Sequence, residues 1–275
     1  MFSQRDAIAR LLRDDDPETV RMVKEQLALG GEDYIPDLRD LVERNDERVS
    51  RHARDVMAEI AGHSADDGFL LLCHFFSRES DFENACWMLS QALDAKFEIE
   101  PLKHKVNLWG RQFLMRTSGI VSNRQRVLEL ANFMAGELCF RGNTDDYYCE
   151  RNSLLPSVIE TRMGIPITLT LLYIMVARRA GLKVDGINLP GHFIARHGGV
   201  LFDPFHKGRI LTGADCEEIL ARQKLKLRAS YLEPASPRQI LLRLLANLLY
   251  VYDLRGEQEK HRHVKAWVKA LSPAT

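Results

Sequence analysis

One segment, Thr168 to Ala180, restricts most strongly what this chain can fold into. It reads as a helix that is apolar on nearly every face, and Gly181 follows as a C-cap. A helix of that kind must be buried on all sides. Because Thr170 and Tyr173 interrupt the apolar run, which falls short of the roughly 20 residues that cross a bilayer, we predict no membrane segment. The helix therefore belongs in the middle of a globular domain.

Two extended segments follow this helix and indicate a small antiparallel sheet. Residues 182–189 lead into 190–196, and residues 200–205 return after Gly198-Gly199, a dipeptide typical of a hairpin turn. A buried helix packed on such a hairpin is an α+β arrangement. We predict an α+β core that is mostly helical and carries a small antiparallel sheet.

Helical segments flank this core on both sides. Residues 1–66 contain short amphipathic helices, and two of them repeat after an acidic turn at a spacing of roughly 30 residues. This spacing is compatible either with HEAT-type repeats or with an ordinary helical bundle, and both interpretations stay open. We place the core at 67–232, and a helical hairpin broken by Gly256 at 233–275.

Composition excludes several functional classes. Lys plus Arg number 38 and Asp plus Glu number 38, so the net charge gives no reason to expect nucleic-acid binding. The five cysteines show no CxxC and no zinc-type spacing. The N-terminus has no apolar segment of the secretory kind. We expect a cytoplasmic protein whose cysteines are mostly free and buried, with no cofactor. The oligomeric state is open.

A block of motifs between residues 140 and 205 resembles the transglutaminase-like superfamily, and within it the SirB-type branch. The resemblance implies a papain-type core, and this branch also carries a tetratricopeptide-like tail, with which the C-terminal hairpin is compatible. The matching motifs are Phe140-Arg141-Gly142-Asn143, Asp146-Tyr147-Tyr148, Arg151-Asn152-Ser153, Arg162-x-Gly164-Ile165-Pro166, Pro190-Gly191-His192-Phe193 and Asp203-Pro204-Phe205.

The resemblance also implies where an active site would be. The superfamily uses a Cys at a helix start, a His that carries the proton and an Asp that orients the His. His192 and Asp203 match the His and the Asp, but the Cys position holds Pro166, which has no nucleophilic atom. We therefore predict a non-catalytic module that binds a protein or peptide partner.

Other interpretations of the same residues remain open. An amide hydrolase or acyltransferase could use His192 and Asp203 with Cys149, Thr168 or an activated water. Asn152 and Arg162 complete the candidate pocket. Alternatively, His192 and Asp203 serve only to tie two strands together.

We predict no metal site, although three histidines lie close to Asp203 in the sequence. His192 and His197 are an odd number of residues apart, so on one strand they point to opposite faces. His206 completes this set of three.

Overall fold

A computed structural model describes residues 4–44, 46–61, 65–77 and 81–272. It is 67% helical and contains a four-stranded antiparallel sheet, which confirms the predicted α+β class. The chain divides into two compact units, residues 1–72 and 73–275. The boundaries at 66 and 232 stay predictions.

The first unit consists of helical hairpins. It contains α1 (Gln4–Leu12), α2 (Pro17–Leu29), a 3-10 turn (Gly31–Tyr34), α3 (Ile35–Arg44), α4 (Glu47–Ala61) and the beginning of α5 (Ala65–His74).

Helices α2 and α4 of this unit begin in the same way. Asp16 accepts the backbone N–H groups of Glu18 and Thr19, and Asp46 accepts those of Arg48 and Val49. A carboxylate at this position satisfies N–H groups that have no partner inside the helix. The two N-cap residues are 30 positions apart, so the acidic turns that the sequence repeats have the same structural role. Whether the unit is a HEAT-type array stays a prediction.

The second unit holds most of the helices and all of the strands that the structure describes. Its helices after α5 are α6 (Phe82–Leu93), α7 (Ile99–Thr117), α8 (Asn123–Ala131), α9 (Leu155–Thr161), α10 (Pro166–Arg179), α11 (Gly213–Ala221), α12 (Pro237–Arg255) and α13 (Gln258–Leu271). A π-helical turn (Asn132–Glu137) extends α8, and short 3-10 helices occupy Glu150–Ser153 and Ala229–Leu232.

Helix α10 is the centre of this unit, as its apolar sequence predicts. Every residue from Pro166 to Ala177 is buried. Its C-terminal end is fixed by Arg179, whose guanidinium donates two hydrogen bonds to the carboxylate of Glu83, at 2.6 and 3.0 Å. An arginine at this end also faces the negative pole of the helix dipole.

The main sheet has the order β3 (Asp185–Ile187), β4 (Ile194–His197), β5 (Val200–Asp203) and β6 (Arg209–Leu211). All neighbours are antiparallel, and Gly198-Gly199 forms the turn between β4 and β5, as predicted. The sequence analysis did not identify β6. It also missed a parallel pair, β1 (Arg141–Gly142) and β2 (Met163–Gly164), because two-residue strands have no readable alternation.

Three of the five cysteines are buried, in line with the expectation for most of them. Cys73, Cys86 and Cys216 lie in apolar surroundings, and burial raises the pKa of Cys73 to about 12, so that thiol stays protonated. Cys139 is exposed and Cys149 is half-buried. Among the helices of the described ranges, none has both the length and the apolar character of a membrane span.

Gly208, in the turn after β5, is a position where one methyl group should destabilise the fold. Its φ is +75°, and a Cβ there would lie 2.4 Å from the Cβ of Ala131. We expect Gly208→Ala to lower the free energy of unfolding by about 3 kcal/mol, through left-handed strain and overpacking. The matched control is Gly199→Ala, where φ is +85° but nothing lies within 4 Å, so about 1 kcal/mol should be lost. Urea unfolding measures both, and equal losses would contradict the steric argument.

Candidate functional site

A tight turn places His192 at the entrance to β4. The backbone N–H of His192 donates to the carbonyl of Leu189 at 2.9 Å, which closes a four-residue turn. Pro190 and Gly191 are its central residues, and Gly191 has φ +80°. Proline followed by a glycine with positive φ is the pattern of a type II turn. The motif Pro190-Gly191-His192 therefore fixes the backbone from which the imidazole projects.

Asp203 ends β5 and meets this imidazole. Nε2 of His192 donates to Oδ2 of Asp203 at 2.7 Å. The contact follows from the hairpin register, in which Ala195 pairs with Phe202, because continuing it brings position 192 beside the residues just after β5. The His192 side chain is 12% exposed, and that of Asp203 is 2% exposed. The two residues predicted to pair are thus brought together.

Both oxygens of the Asp203 carboxylate are occupied. Oδ1 accepts the backbone N–H of Phe205 at 2.9 Å, as in an Asx-turn, and a longer bond from the N–H of His206 at 3.4 Å. Burial by itself would raise the pKa of Asp203, but the hydrogen bonds and positive charge offered by His192 and His206 outweigh it. The pKa of Asp203 therefore lies below its usual value, and the group is a carboxylate at neutral pH.

His206, one of the three histidines that lie close to Asp203 in the sequence, is the third member of the cluster. Its Nδ1 donates to Oδ2 of Asp203 at 2.7 Å, and its ring is 61% exposed. His197 lies elsewhere, because its Nδ1 donates to the carbonyl of Lys183 at 2.8 Å. The opposite facing expected on one strand applies to His192 and His197, and not to His192 and His206.

A cavity of about 180 Å³ opens beside the cluster, between the sheet and α11. Besides Asp203, four charged groups line it in two pairs: Arg209 with Asp215, and Arg222 with Glu218 at 3.0 Å. The lining comprises Gly191, His192, Asp203, His206, Arg209, Leu211, Asp215, Glu218, Ile219, Arg222 and Gln223.

The sequence analysis missed α11, although its first turn carries a recognisable signal. Thr212 is the N-cap and accepts the N–H of Asp215, and the Asp215 carboxylate accepts the N–H of Thr212 in return. This reciprocal pair is a capping box, and the apolar residues Ile219 and Leu220 follow it.

The first turn of α10 contains no free nucleophile. Pro166 is buried at the first helical position. The Thr168 hydroxyl donates to the carbonyl of Asn152 at 2.8 Å and accepts the N–H of Ile165 at 3.2 Å. Because a hydroxyl has one proton to donate, Thr168 serves as a link between α10 and the preceding loop.

Asn152 organises that loop. Its amide donates to the carbonyls of Asp146 and Tyr147, at 2.7 and 3.0 Å, and accepts from Asn143 at 3.0 Å. Asn152 lies in the 3-10 helix Glu150–Ser153, and Cys149, which is half-buried, immediately precedes this helix. Three of the candidate pocket residues, Asn152, Thr168 and Cys149, are therefore associated with this loop.

The structure places the side chain of Arg162 against aromatic rings, whereas the sequence suggested that it completes the candidate pocket. Its backbone is left-handed, with φ +63°, where it ends α9. Its guanidinium lies over the rings of Trp109 and Phe140, at 4.7 and 4.8 Å from their centroids. Burial lowers the pKa of this arginine. In the described residues, then, its role is a cation–π contact in the core.

Neither a sulfur nor a hydroxyl hydrogen-bonds to the His192 ring in the part of the chain that the structure describes, whereas Asp203 does. Two buried hydroxyls, those of Ser157 and Tyr173, have no hydrogen-bond partner among those residues. Burial, and then the charge of Asp203, raise the pKa of Tyr173, so it stays protonated. The cluster thus holds an oriented imidazole without an attacking atom bonded to it.

A family profile described as the transglutaminase-like superfamily matches residues 100–246, which is more than half of the chain. The chain belongs to this superfamily. The matched region of this transglutaminase-like protein includes α10, the sheet, His192 and Asp203. The resemblance stated from the motifs is confirmed at the level of the superfamily.

Several curated proteins are similar to this transglutaminase-like chain. A UPF0162 protein of Xylella fastidiosa is 41% identical over 140 residues, 46% of this chain and 49% of the relative. A UPF0162 protein of Pseudomonas aeruginosa is 33% identical over 184 residues, 64% of this chain and 66% of the relative. Mouse F-box only protein 21 is 30% identical over 152 residues, 50% of this chain but 24% of the mouse protein.

The alignment with the Xylella protein spans about half the length of that relative. No solved structure matches the chain.

Proposed function

We propose that this transglutaminase-like protein is a non-catalytic module that binds a protein or peptide segment in the cavity beside His192. One observation carries the proposal: the superfamily's His and Asp are paired, but the helix start that should supply the thiol is a buried proline. An oriented imidazole without a nucleophile cannot form the covalent intermediate of thiol enzymes. What remains is a polar cavity.

The charges of this cavity suit an extended segment of a partner. Arg209 and Arg222 line the cavity together with Asp215 and Glu218, and both Arg222 and Glu218 are largely exposed. Exposed pairs of this kind contribute little to stability, so they can exchange partners at a low cost. A peptide with both acidic and basic side chains is the ligand that we expect.

The similarity to F-box only protein 21 supports a module. The matching region forms 24% of the mouse protein, so this kind of domain also occurs inside a much longer chain.

The finer family assignment is part of the proposal. We assign the chain to the SirB-type branch on the motifs between residues 140 and 205. The C-terminal α12 and α13 support a tetratricopeptide-like hairpin, since Gly256 separates them and each buries an aromatic residue, Tyr252 and Trp267. The equivalent caps Asp16 and Asp46 support HEAT-like repeats in the first unit.

Selection of a displayed peptide library on the full chain tests the binding function. We expect the recovered peptides to bind at least about tenfold more weakly to Arg222→Glu, because the substitution reverses a cavity charge. The matched control is Arg255→Glu, at the exposed end of α12, which should bind as the wild type does. Failure to recover peptides, or equal binding by both variants, would contradict the proposal.

A hydrolase is the second candidate, and the 2.7 Å bond between His192 and Asp203 is the observation that favours it. An imidazole held by a carboxylate can activate water. Mass spectrometry of the selected peptides after incubation with the chain distinguishes the two functions. Unchanged peptides support the binding module, whereas cleavage that is lost in His192→Ala would replace it with the hydrolase.

A further inference from the structure

The cluster at the end of β5 contains one imidazole more than a His–Asp pair needs. His192 would be oriented by Asp203 without any second histidine. His206 nevertheless donates to the same oxygen, Oδ2. Among the described residues, these three side chains are the one group of His, Cys, Asp or Glu whose ligand atoms all lie within 4.8 Å of one another.

We propose that His192, Asp203 and His206 form a binding site for a divalent transition-metal ion of the zinc class. Two imidazole nitrogens and one carboxylate oxygen are a donor set that such ions bind well. Magnesium and calcium prefer oxygen donors throughout, so the set disfavours them. This site goes beyond the proposed peptide-binding function and does not depend on it.

The spacing of the donor atoms requires small movements to receive an ion. Zinc bonds to nitrogen and oxygen ligands are about 2.0–2.2 Å long, which puts neighbouring ligand atoms roughly 3.0–3.5 Å apart. The two nitrogen–oxygen distances are each 2.7 Å, so each must lengthen by about half an ångström. The His206 ring is 61% exposed, and its rotation can both lengthen its own bond and bring its nitrogen towards His192.

The other two ligands are already held in place. Oδ1 of Asp203 accepts the backbone N–H groups of Phe205 and His206. The carboxylate therefore keeps its orientation when Oδ2 binds the ion instead of the imidazole N–H groups. The Phe205 ring and the His192 imidazole form a T-shaped pair, with their centroids 6.1 Å apart and their planes at 90°. Such outer contacts are what orient metal ligands in proteins.

The charge and openness of the surroundings also suit a cation. Asp203 supplies a buried negative charge, and the cavity's two arginines are paired with Asp215 and Glu218. The cavity borders all three donors, so water or a partner's carboxylate can fill the remaining coordination positions. Three protein ligands with an open position are typical of reactive zinc sites.

Zinc titration of the EDTA-treated and dialysed full chain, followed by calorimetry, tests the site. We expect one zinc ion per chain at this site and a loss of affinity of at least about tenfold in His206→Asn. The asparagine amide can still donate to Asp203, so folding should be preserved, and circular dichroism verifies it. The matched control is His104→Asn, an exposed histidine of α7, which should bind zinc as the wild type does.

Cobalt supplies a spectroscopic readout of the same site. Co²⁺ added to the wild type should give visible d–d absorption, which His192→Ala and His206→Asn should lose. Zinc affinity equal in wild type and His206→Asn, or a cobalt spectrum indifferent to both substitutions, would overturn the proposal. That result would leave peptide binding unaffected, because its test depends on Arg222 and uses no metal.

Discussion

Pro166→Cys is expected to create a fast-reacting thiol at the start of α10. A sulfur in the first turn of a helix faces free backbone N–H groups and the positive pole of the dipole, which lower the pKa of a thiol. At pH 7 an ordinary thiol is a few per cent ionised, so lowering its pKa by one to two units should accelerate alkylation by about tenfold.

The geometry of α10 indicates that His192 would contribute to this effect. Thr170, one turn beyond position 166 and on the same face, donates its hydroxyl to the carbonyl of Phe193 at 3.4 Å. Phe193 is the residue after His192. A sulfur at position 166 therefore lies on the face of α10 that meets the beginning of β4, and an imidazole there can take its proton.

Iodoacetamide labelling at pH 7, with peptide mapping by mass spectrometry, measures the rate at each cysteine separately. The matched control is Pro156→Cys, since Pro156 is also buried in a first helical turn, that of α9. Because the two positions share burial and the effect of the helix start, Cys at 166 should exceed Cys at 156 only by the contribution of His192, and this excess should shrink when His192→Ala is added to Pro166→Cys. If Cys at 166 reacts no faster than Cys at 156, Pro166 is not the position of the missing nucleophile. The proposed absence of catalysis would then have no support from this position.

The central helix could be predicted from a short-range pattern, whereas the His–Asp pair was implied by the resemblance to the superfamily and is compatible with the predicted hairpin. A run that is apolar on every face leaves α10 no place except the core. Gly198-Gly199 fixes the hairpin, and the hairpin register then brings His192 to Asp203.

The environment of Arg162 and the approach of His206 could not be predicted in this way. Arg162 packs on Trp109, which is distant in the sequence and belongs to α7. His206 reaches Asp203 through the turn after β5, in which Oδ1 of Asp203 accepts the backbone N–H groups of Phe205 and His206. Lys207 and Gly208 follow in this turn with positive φ, and a lysine in that conformation has no sequence signal, since tertiary contacts impose it.

Asp203→Ala is expected to lower the free energy of unfolding by about 3–4 kcal/mol at pH 7 in the presence of EDTA. The buried carboxylate accepts four hydrogen bonds, two from backbone N–H groups and two from imidazoles. Removing one partner of a buried charged network leaves its donors unsatisfied, which is the costly case. His192→Ala removes a single one of these bonds and should cost about 1–2 kcal/mol.

The stability that Asp203 contributes should also depend on pH in a definite direction. Its pKa is lower in the folded chain than in the unfolded chain, where it is about 3.9. The contribution is therefore fully present above pH 4 to 5, and it decreases as the pH falls through the folded pKa. As the pH falls, the free energy of unfolding should therefore decrease less for Asp203→Asn than for the wild type. Urea unfolding between pH 7 and pH 3 measures this difference.

These variants distinguish a structural carboxylate from one retained for the site. If Asp203→Ala and His192→Ala lower the free energy of unfolding by equal amounts, the pair acts mainly to connect the two strands. The cavity beside it would then have no support as a binding site. A large loss for Asp203→Ala and a small one for His192→Ala would mean that the carboxylate holds the turn after β5. The fold would then need His192 much less than it needs Asp203, which leaves the imidazole free to serve as a ligand or a binding group.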